Sequence, residues 1–195
     1  CGGGEFNCSD PDACSCSGCT DGTADNYDEG ASVNDGTCTF TYQVPADYPT
    51  ISEAIVASND GDIIIVSPGL YIENITITDN IVLQSENPLY PELTIIEAPD
   101  AGGTVISIVN SSPTLSGFTI ANGNASFGGG ISVDNGFPNL SRLLIMGNKA
   151  IKGGGISLVG SSPAISHVTL VENEADLGAN LFIKDGSYPT IINSI

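Results

Sequence analysis

Three stretches of this chain repeat one pattern at a fixed spacing of 25 residues: "GTVISIVNSSPTLSGFTIANGNASF" from Gly103, "GGGISVDNGFPNLSRLLIMGNKAIK" from Gly128 and "GGGISLVGSSPAISHVTLVENEADL" from Gly153. A fourth, "GANLFIKDGSYPTIINSI", begins at Gly178. A fixed period in this range marks a chain of stacked units, each of which buries its apolar face only against its neighbours.

Equivalent positions show what the unit is made of. Ile106, Ile131, Ile156 and Leu181 fall in register, as do Ile108, Val133, Leu158 and Ile183. Leu115, Leu140 and Ile165 follow, then Phe118, Leu143 and Val168, then Ile120, Ile145 and Leu170. Within a copy these residues alternate with polar or small ones, the period of two expected of half-buried strands. Pro113, Pro138 and Pro163 punctuate them, with Gly, Ser and Asn around each. No apolar stripe of period 3.6 runs long enough for a helix, which excludes helical repeats. The L-x-x-L-x-L pattern of leucine-rich repeats is also absent.

Short strands joined by sharp turns can wind once around a core and return above their own start. Each coil then pairs with the next at about 4.8 Å. The predicted fold is all-β: a right-handed parallel β-helix, the hand following the general crossover preference, with about 25 residues per coil. The copies "MGNKAIKGGGI" and "VENEADLGANL" resemble the N-x-A-x-x-G-G-A-I units of polymorphic outer-membrane and related pectin-lyase-like β-helix proteins. Asn148 and Asn173 match the motif Asn, Ala150 and Ala175 the Ala, and Gly153, Gly154 and Gly178 the glycines. The first copy departs, because Asn124 sits one residue late. The resemblance covers residues 43–195 and implies a fold rather than an activity.

Residues 43–75 read as the opening of the solenoid. Thr50 followed by Glu53 is a capping box, and Ile51, Ala54 and Ile55 form a short apolar face. One helix is expected over 50–58, covering the first coil as solenoids require. "DIIIVSPGLY" reads as a buried strand and turn, and 75–84 and 93–97 as less regular early coils. Ile195 falls inside an expected strand. That leaves an open strand edge, to be continued by further coils or covered by a partner.

All six cysteines lie in the first 38 residues: Cys1, Cys8, Cys14, Cys16, Cys19 and Cys38. Residues 1–42 are therefore expected to be a small separate head, stapled by disulfides in an oxidising compartment. Zinc is the alternative, but the sole histidine is the distant His167 and the cysteine spacing is not that of a common zinc module. Asp21, Asp25, Asp28, Asn34 and Asp35 offer hard oxygen ligands suited to calcium. Equally, Asp and Asn are the residues that build turns. The segment "GCTDGTADNYDEGASVNDGTC" resembles a short repeat, GCTDPTAxNYxPxAxxDDGSC, of secreted Bacteroidetes-type surface proteins, and that likeness implies a Cys19–Cys38 disulfide. The opening Cys1-Gly-Gly-Gly also suits an acylated lipoprotein terminus, although acylation of Cys1 would leave an odd number of cysteines to pair.

Acidic residues number 23 against four Lys and Arg, a net charge of −19. Such a chain does not neutralise phosphates, which excludes nucleic acid as a partner, and it is repelled by anionic membranes. No apolar run approaches the length of a membrane helix.

A β-helix lyase would need a base beside a uronate carboxylate, and the sole Arg is Arg142, expected to point outward from its strand. With Lys149 and Lys152 it forms a loose cationic group able to bind an acidic polysaccharide. A hydrolase would need facing carboxylates, and Asp134, Glu172, Glu174, Asp176 and Asp185 carry no signature of that pairing. His167 alternates with apolar neighbours and is expected on a solvated strand face. The turns look uniformly short, without the long loops that flank a cleft. The sequence therefore predicts a non-enzymatic extracellular or bacterial cell-surface solenoid of structural or adhesive role. Its partners would be further copies of itself, other surface proteins, or a polysaccharide bound or cleaved near Arg142.

Overall fold

A computed structural model of the chain describes residues 16–195 and divides it between Thr41 and Tyr42 into two compact units. The expectations placed on Cys1, Cys8 and Cys14, acylation of Cys1 among them, lie outside the described residues.

In the first unit the strands Ser17–Gly18 and Val33–Asn34 pair in parallel. Cys19 is bonded to Cys38 across 19 positions and, like Ala24, is buried. Asn26 fixes the returning chain: its Nδ2 donates to Thr37 O and its Oδ1 accepts from Thr39 N–H. Among the described residues of this unit only Cys19 and Ala24 are buried apolar ones, and the covalent link and side-chain-to-backbone bonds tie the segment together.

The second unit is a parallel β-solenoid of about six turns, its early coils visiting three sheets and its later ones four. The first sheet stacks Thr41–Val44, Ile63–Val66, Val82–Ser85, Thr114–Ser116, Asn139–Ser141, Ala164–Ser166 and Thr190–Ile192. The second stacks Gly69–Ile72, Thr94–Glu97, Thr119–Ala121, Leu144–Met146 and Thr169–Val171. The third holds Asn124–Phe127, Lys149–Lys152 and Glu174–Leu177. The fourth holds Ile75–Ile77, Ile106–Val109, Ile131–Asp134, Ile156–Val159 and Leu181–Lys184.

The strands pair in parallel, with one isolated antiparallel bridge between Gly103 and Asn124, and like residues stack on like: Ile106 on Ile131 on Ile156, and Leu115 on Leu140 on Ile165. These side chains are buried and form one continuous core. The early segments expected to be less regular join the same register, Leu83 lying between Ile64 and Leu115. The irregular part is instead the connection between Ser85 and Thr94. It spans residues 86–93, where later coils turn from the first to the second sheet within two residues. It leaves Leu89 and Tyr90 exposed, and it overturns the expectation of uniformly short turns.

Each of the four corners carries a left-handed residue at the same place in successive coils. Asn110, Asn135, Gly160 and Asp185 turn the chain from the fourth sheet to the first. Gly117, Arg142, His167 and Asn193 lead to the second sheet, and Asn122, Gly147 and Glu172 to the third. Gly128, Gly153 and Gly178 lead to the fourth. Asn, Asp and Gly adopt this conformation at least cost. The next two glycines of the G-G-G runs have a different cause, close approach. A Cβ at Gly129 would lie 2.7 Å from Gly154 O, and one at Gly130 2.7 Å from Gly155 O.

Asparagines supply the polar interior at one corner. Asn148 Oδ1 accepts from Gly123 N–H at 2.8 Å, and its Nδ2 donates to Ile120 O at 3.0 Å. Asn173 repeats this one coil on, its Oδ1 accepting from Asn148 N–H and its Nδ2 donating to Ile145 O. The place of the motif Asn in the first copy is therefore taken by Gly123, while Asn124 pairs on the third sheet with Lys149. Buried polar groups satisfied in this way fix the corner without costing stability.

The helix runs Ile51–Ala57, one residue shorter at each end than expected, with Ile51, Ala54 and Ile55 buried against the first coil. Thr50 caps it as the sequence suggested. A second acceptor comes from the neighbouring coil: the Glu73 carboxylate takes the N–H groups of Ile51 and Ser52 at 3.0 and 2.9 Å, and the Ser52 hydroxyl as well.

Two predictions follow from these polar contacts. Glu73→Ala should lower the unfolding free energy by roughly 2 kcal/mol, since it leaves two helix N–H groups half-buried without an acceptor. Asn148→Ala should cost about 3 kcal/mol by orphaning groups on two coils, whereas Asn124→Ala should stay within about 0.5 kcal/mol. Denaturant unfolding of the full chain measures all three.

Candidate functional site

Arg142 and His167 sit at the corner between the first and second sheets, not on a strand face as the alternation suggested. Alternation failed there because both occupy the left-handed turn position that Gly117 holds one coil earlier. Their backbone N–H groups donate to Ser166 O and Ile192 O of the next coils, so the two side chains stack in successive coils of one corner. His167 Nε2 lies 3.4 Å from Asn193 Nδ2, the next member of the ladder.

The connection 86–93 folds over this corner. Pro91 O accepts from the Thr119 hydroxyl at 3.0 Å, and Pro88 lies against Gly117, where a Cβ would collide with it. Leu89 and Pro91 then form one wall of a groove of about 480 Å³, with Arg142, Leu144, His167 and Thr169 opposite. The sequence's sole arginine and sole histidine therefore share one depression. The sequence could have signalled this, since both fall at the repeat position of Gly117.

The two lysines grouped with Arg142 are held elsewhere. Lys149 opens a third-sheet strand and pairs with Glu174 at 3.0 Å, both side chains mostly exposed. Such a pair contributes at most about 1 kcal/mol. Lys152 closes the same strand, with its Nζ 5.4 Å from the Phe127 ring centre and 5.5 Å from that of Phe182. The structure thus gives Arg142, Lys149 and Lys152 three different sets of partners.

In the head, each of the five oxygen donors considered for calcium accepts a hydrogen bond, four of them from a residue two positions on. Asp21 Oδ1 takes the hydroxyl and N–H of Thr23 at 2.7 and 2.9 Å. Asp35 Oδ1 repeats this with Thr37 at 2.6 and 3.0 Å. Asp28 and Asn34 accept from Gly30 N–H and Gly36 N–H, and Asp25 accepts from the Thr41 hydroxyl. Among the described residues no group of three or more His, Cys, Asp or Glu side chains converges as a metal site. The threonine hydroxyls, followed by the threonine N–H groups, hold the Asp21 and Asp35 carboxyls below the ordinary aspartate range.

No family model matches the chain, and no curated protein does. Among solved structures, the pectin methylesterase PemA from Erwinia chrysanthemi is similar, with a TM-score of 0.41 and 12% sequence identity. The similarity covers 71% of this chain and 66% of that one, so the chain spans just under two thirds of that protein's length.

The lowered carboxyls of Asp21 and Asp35 fix a pH dependence. Their folded pKa values lie below the unfolded ones, so the stability they contribute is present above about pH 4 and is lost as pH falls through the folded values. Amide resonances of Thr23 and Thr37 should titrate with midpoints below about 3.9, and Thr37→Val should move the Asp35 midpoint upward. Chelation tests calcium in the head: a fall in melting temperature in EDTA would support a bound cation, and no change would remove it.

Proposed function

We propose that this chain is a non-enzymatic extracellular shaft, a structural and adhesive element of a secreted or cell-surface assembly. The observation that carries this reading is the repetition itself. Strands, aliphatic ladders and left-handed corners recur in place from coil to coil of the 25-residue copies, and the longer connections, 45–62, 86–93 and 98–105, all precede them. Stacked coils of this kind give persistence and a long surface, not a closed cleft. The Cys19–Cys38 bond suits an oxidising compartment. The carboxylates are dispersed too. The two ion pairs given by the described residues, Lys149–Glu174 and Lys184–Asp185, are both exposed and lie outside the Arg142 groove.

A second reading, an acidic-polysaccharide site, is favoured by one observation at the corner groove. Arg142 and His167 adopt positive φ there, where Gly or Asn is cheaper by about 1 kcal/mol. Backbone strain of that kind is retained where a side chain has a use.

Incubation of the full chain with methyl-esterified pectin, polygalacturonate and their oligomers tests both readings. The shaft reading expects no product. Product formation abolished by Arg142→Ala would replace it with the enzyme. Binding of hexagalacturonate without turnover, lost in Arg142→Ala, would establish the corner as an acidic-glycan site on a structural protein.

A further inference from the structure

The outer face of the fourth sheet differs from every other surface of the regular coils. Five aromatic residues occur between Gly103 and Ile195. One, Phe118, is in the core. The other four border this sheet. Phe127 ends the third-sheet strand that leads into it, and Phe182 lies on it. Phe137 and Tyr188 follow it at the next corner, where their N–H groups donate to Ser112 and Ser162.

Between these rings runs a hydroxyl stripe. Ser107, Ser132 and Ser157 stack in register and are continued by Phe182. The Ser157 hydroxyl is fully buried there and has no hydrogen-bond partner within the protein. Ser85 and Thr94 carry buried hydroxyls in the same state, so this one marks no ligand position, and the site rests on the accessible residues around it. Beside it is a groove of about 300 Å³, lined by Phe127, Ser132, Asp134, Val159 and Lys184.

From this arrangement we infer that the outer face of the fourth sheet is a binding site for a neutral hexose-based glycan. A pyranose ring has an apolar face of C–H groups and a rim of hydroxyls. The Phe127 ring, 42% exposed, offers a flat apolar platform for the first. The Ser132 hydroxyl and the Asp134 carboxylate offer a donor and acceptors for the second. The backbone of the sheet is already paired coil to coil, so the face recognises a ligand through side chains alone. An extended peptide seeking main-chain partners gains nothing here.

Charge selects a neutral ligand over an acidic one. Lys152 already lies over the Phe127 and Phe182 rings, and Lys184 is paired with Asp185 at 3.2 Å. Asp134 stands in the groove, and the whole chain carries −19. A polyanion approaching this face is repelled. The site gives the adhesive part of the proposed function its surface and rests on that reading. The shaft itself is tested separately by the absence of turnover.

The test is calorimetric titration of the full chain with cellohexaose, laminarihexaose and mannohexaose. At least one should bind. Phe127→Ala should weaken that binding roughly five- to tenfold, the contribution of one aromatic platform. Asp134→Asn should also weaken it, and Arg142→Ala should leave it unchanged. Both Phe127 and Asp134 lie outside the core, so an unaltered melting temperature confirms intact coils. The proposal is overturned if none of the three binds at millimolar concentration. It is equally overturned if binding survives both Phe127→Ala and Asp134→Asn, or depends on Arg142.

Discussion

Backbone hydrogen bonds between successive coils set the terms for everything else in the solenoid. A strand in one coil pairs with the strand 25 residues away, so a residue gained or lost must be absorbed before the next strand begins. A slip of one position would turn each aliphatic side chain to the opposite face. Ile131 would leave the core and Ser132 would enter it. The corners therefore carry as much structural information as the strands. A left-handed residue at each one turns the chain sharply enough to keep the coil closed.

The interior is not purely apolar, and that bears on specificity. Asn148 and Asn173 take up N–H and C=O groups that the turns leave unpaired, each reaching one coil back. Ser161 does similar work at another corner, accepting from Gly136 N–H and donating to Val159 O. Aliphatic ladders alone would tolerate a slip of two positions, but these directional bonds do not. The described part of the head solves the same problem with few buried apolar residues. Its carboxylates and amides cap their own turns, and the Cys19–Cys38 bond limits the freedom of the unfolded loop.

The solenoid was legible in the sequence because its period is short and its core positions are aliphatic in every copy. The ladder at Ile106, Ile131 and Ile156 needs only an alignment of the chain with itself. The corners were half legible: alternation of Gly with Asn, as at Asn122 and Gly147 or Asn135 and Gly160, is the trace of a left-handed turn. Arg142 and His167 broke that trace and read as strand residues. The second acceptor at the helix N-terminus, Glu73, lies 21 residues beyond Ser52, and no local capping rule finds it. The connection 86–93 precedes the regular copies, so no second example existed to compare it with. The contact of Phe127 with Phe182, 6.4 Å between ring centres, joins different sheets two coils apart and follows only from the winding.

The last coil contains a small irregularity with a wider meaning. Lys184 pairs with Val159 at the usual spacing, yet Ile191 pairs with Ile165 across 26 positions, and Ser187 takes the role that Ser161 plays one coil before. One additional residue has been accommodated near Asp185 and Gly186, and the ladder resumes beyond it. The same tolerance, enlarged, accounts for the connection 86–93, which leaves the first sheet after Ser85 and re-enters register at Thr94. Such corners are natural grafting points. A foreign loop inserted at Asp185–Gly186 would project from the shaft without shifting the coils on either side, making the solenoid a scaffold that can acquire new surfaces while its frame stays unchanged.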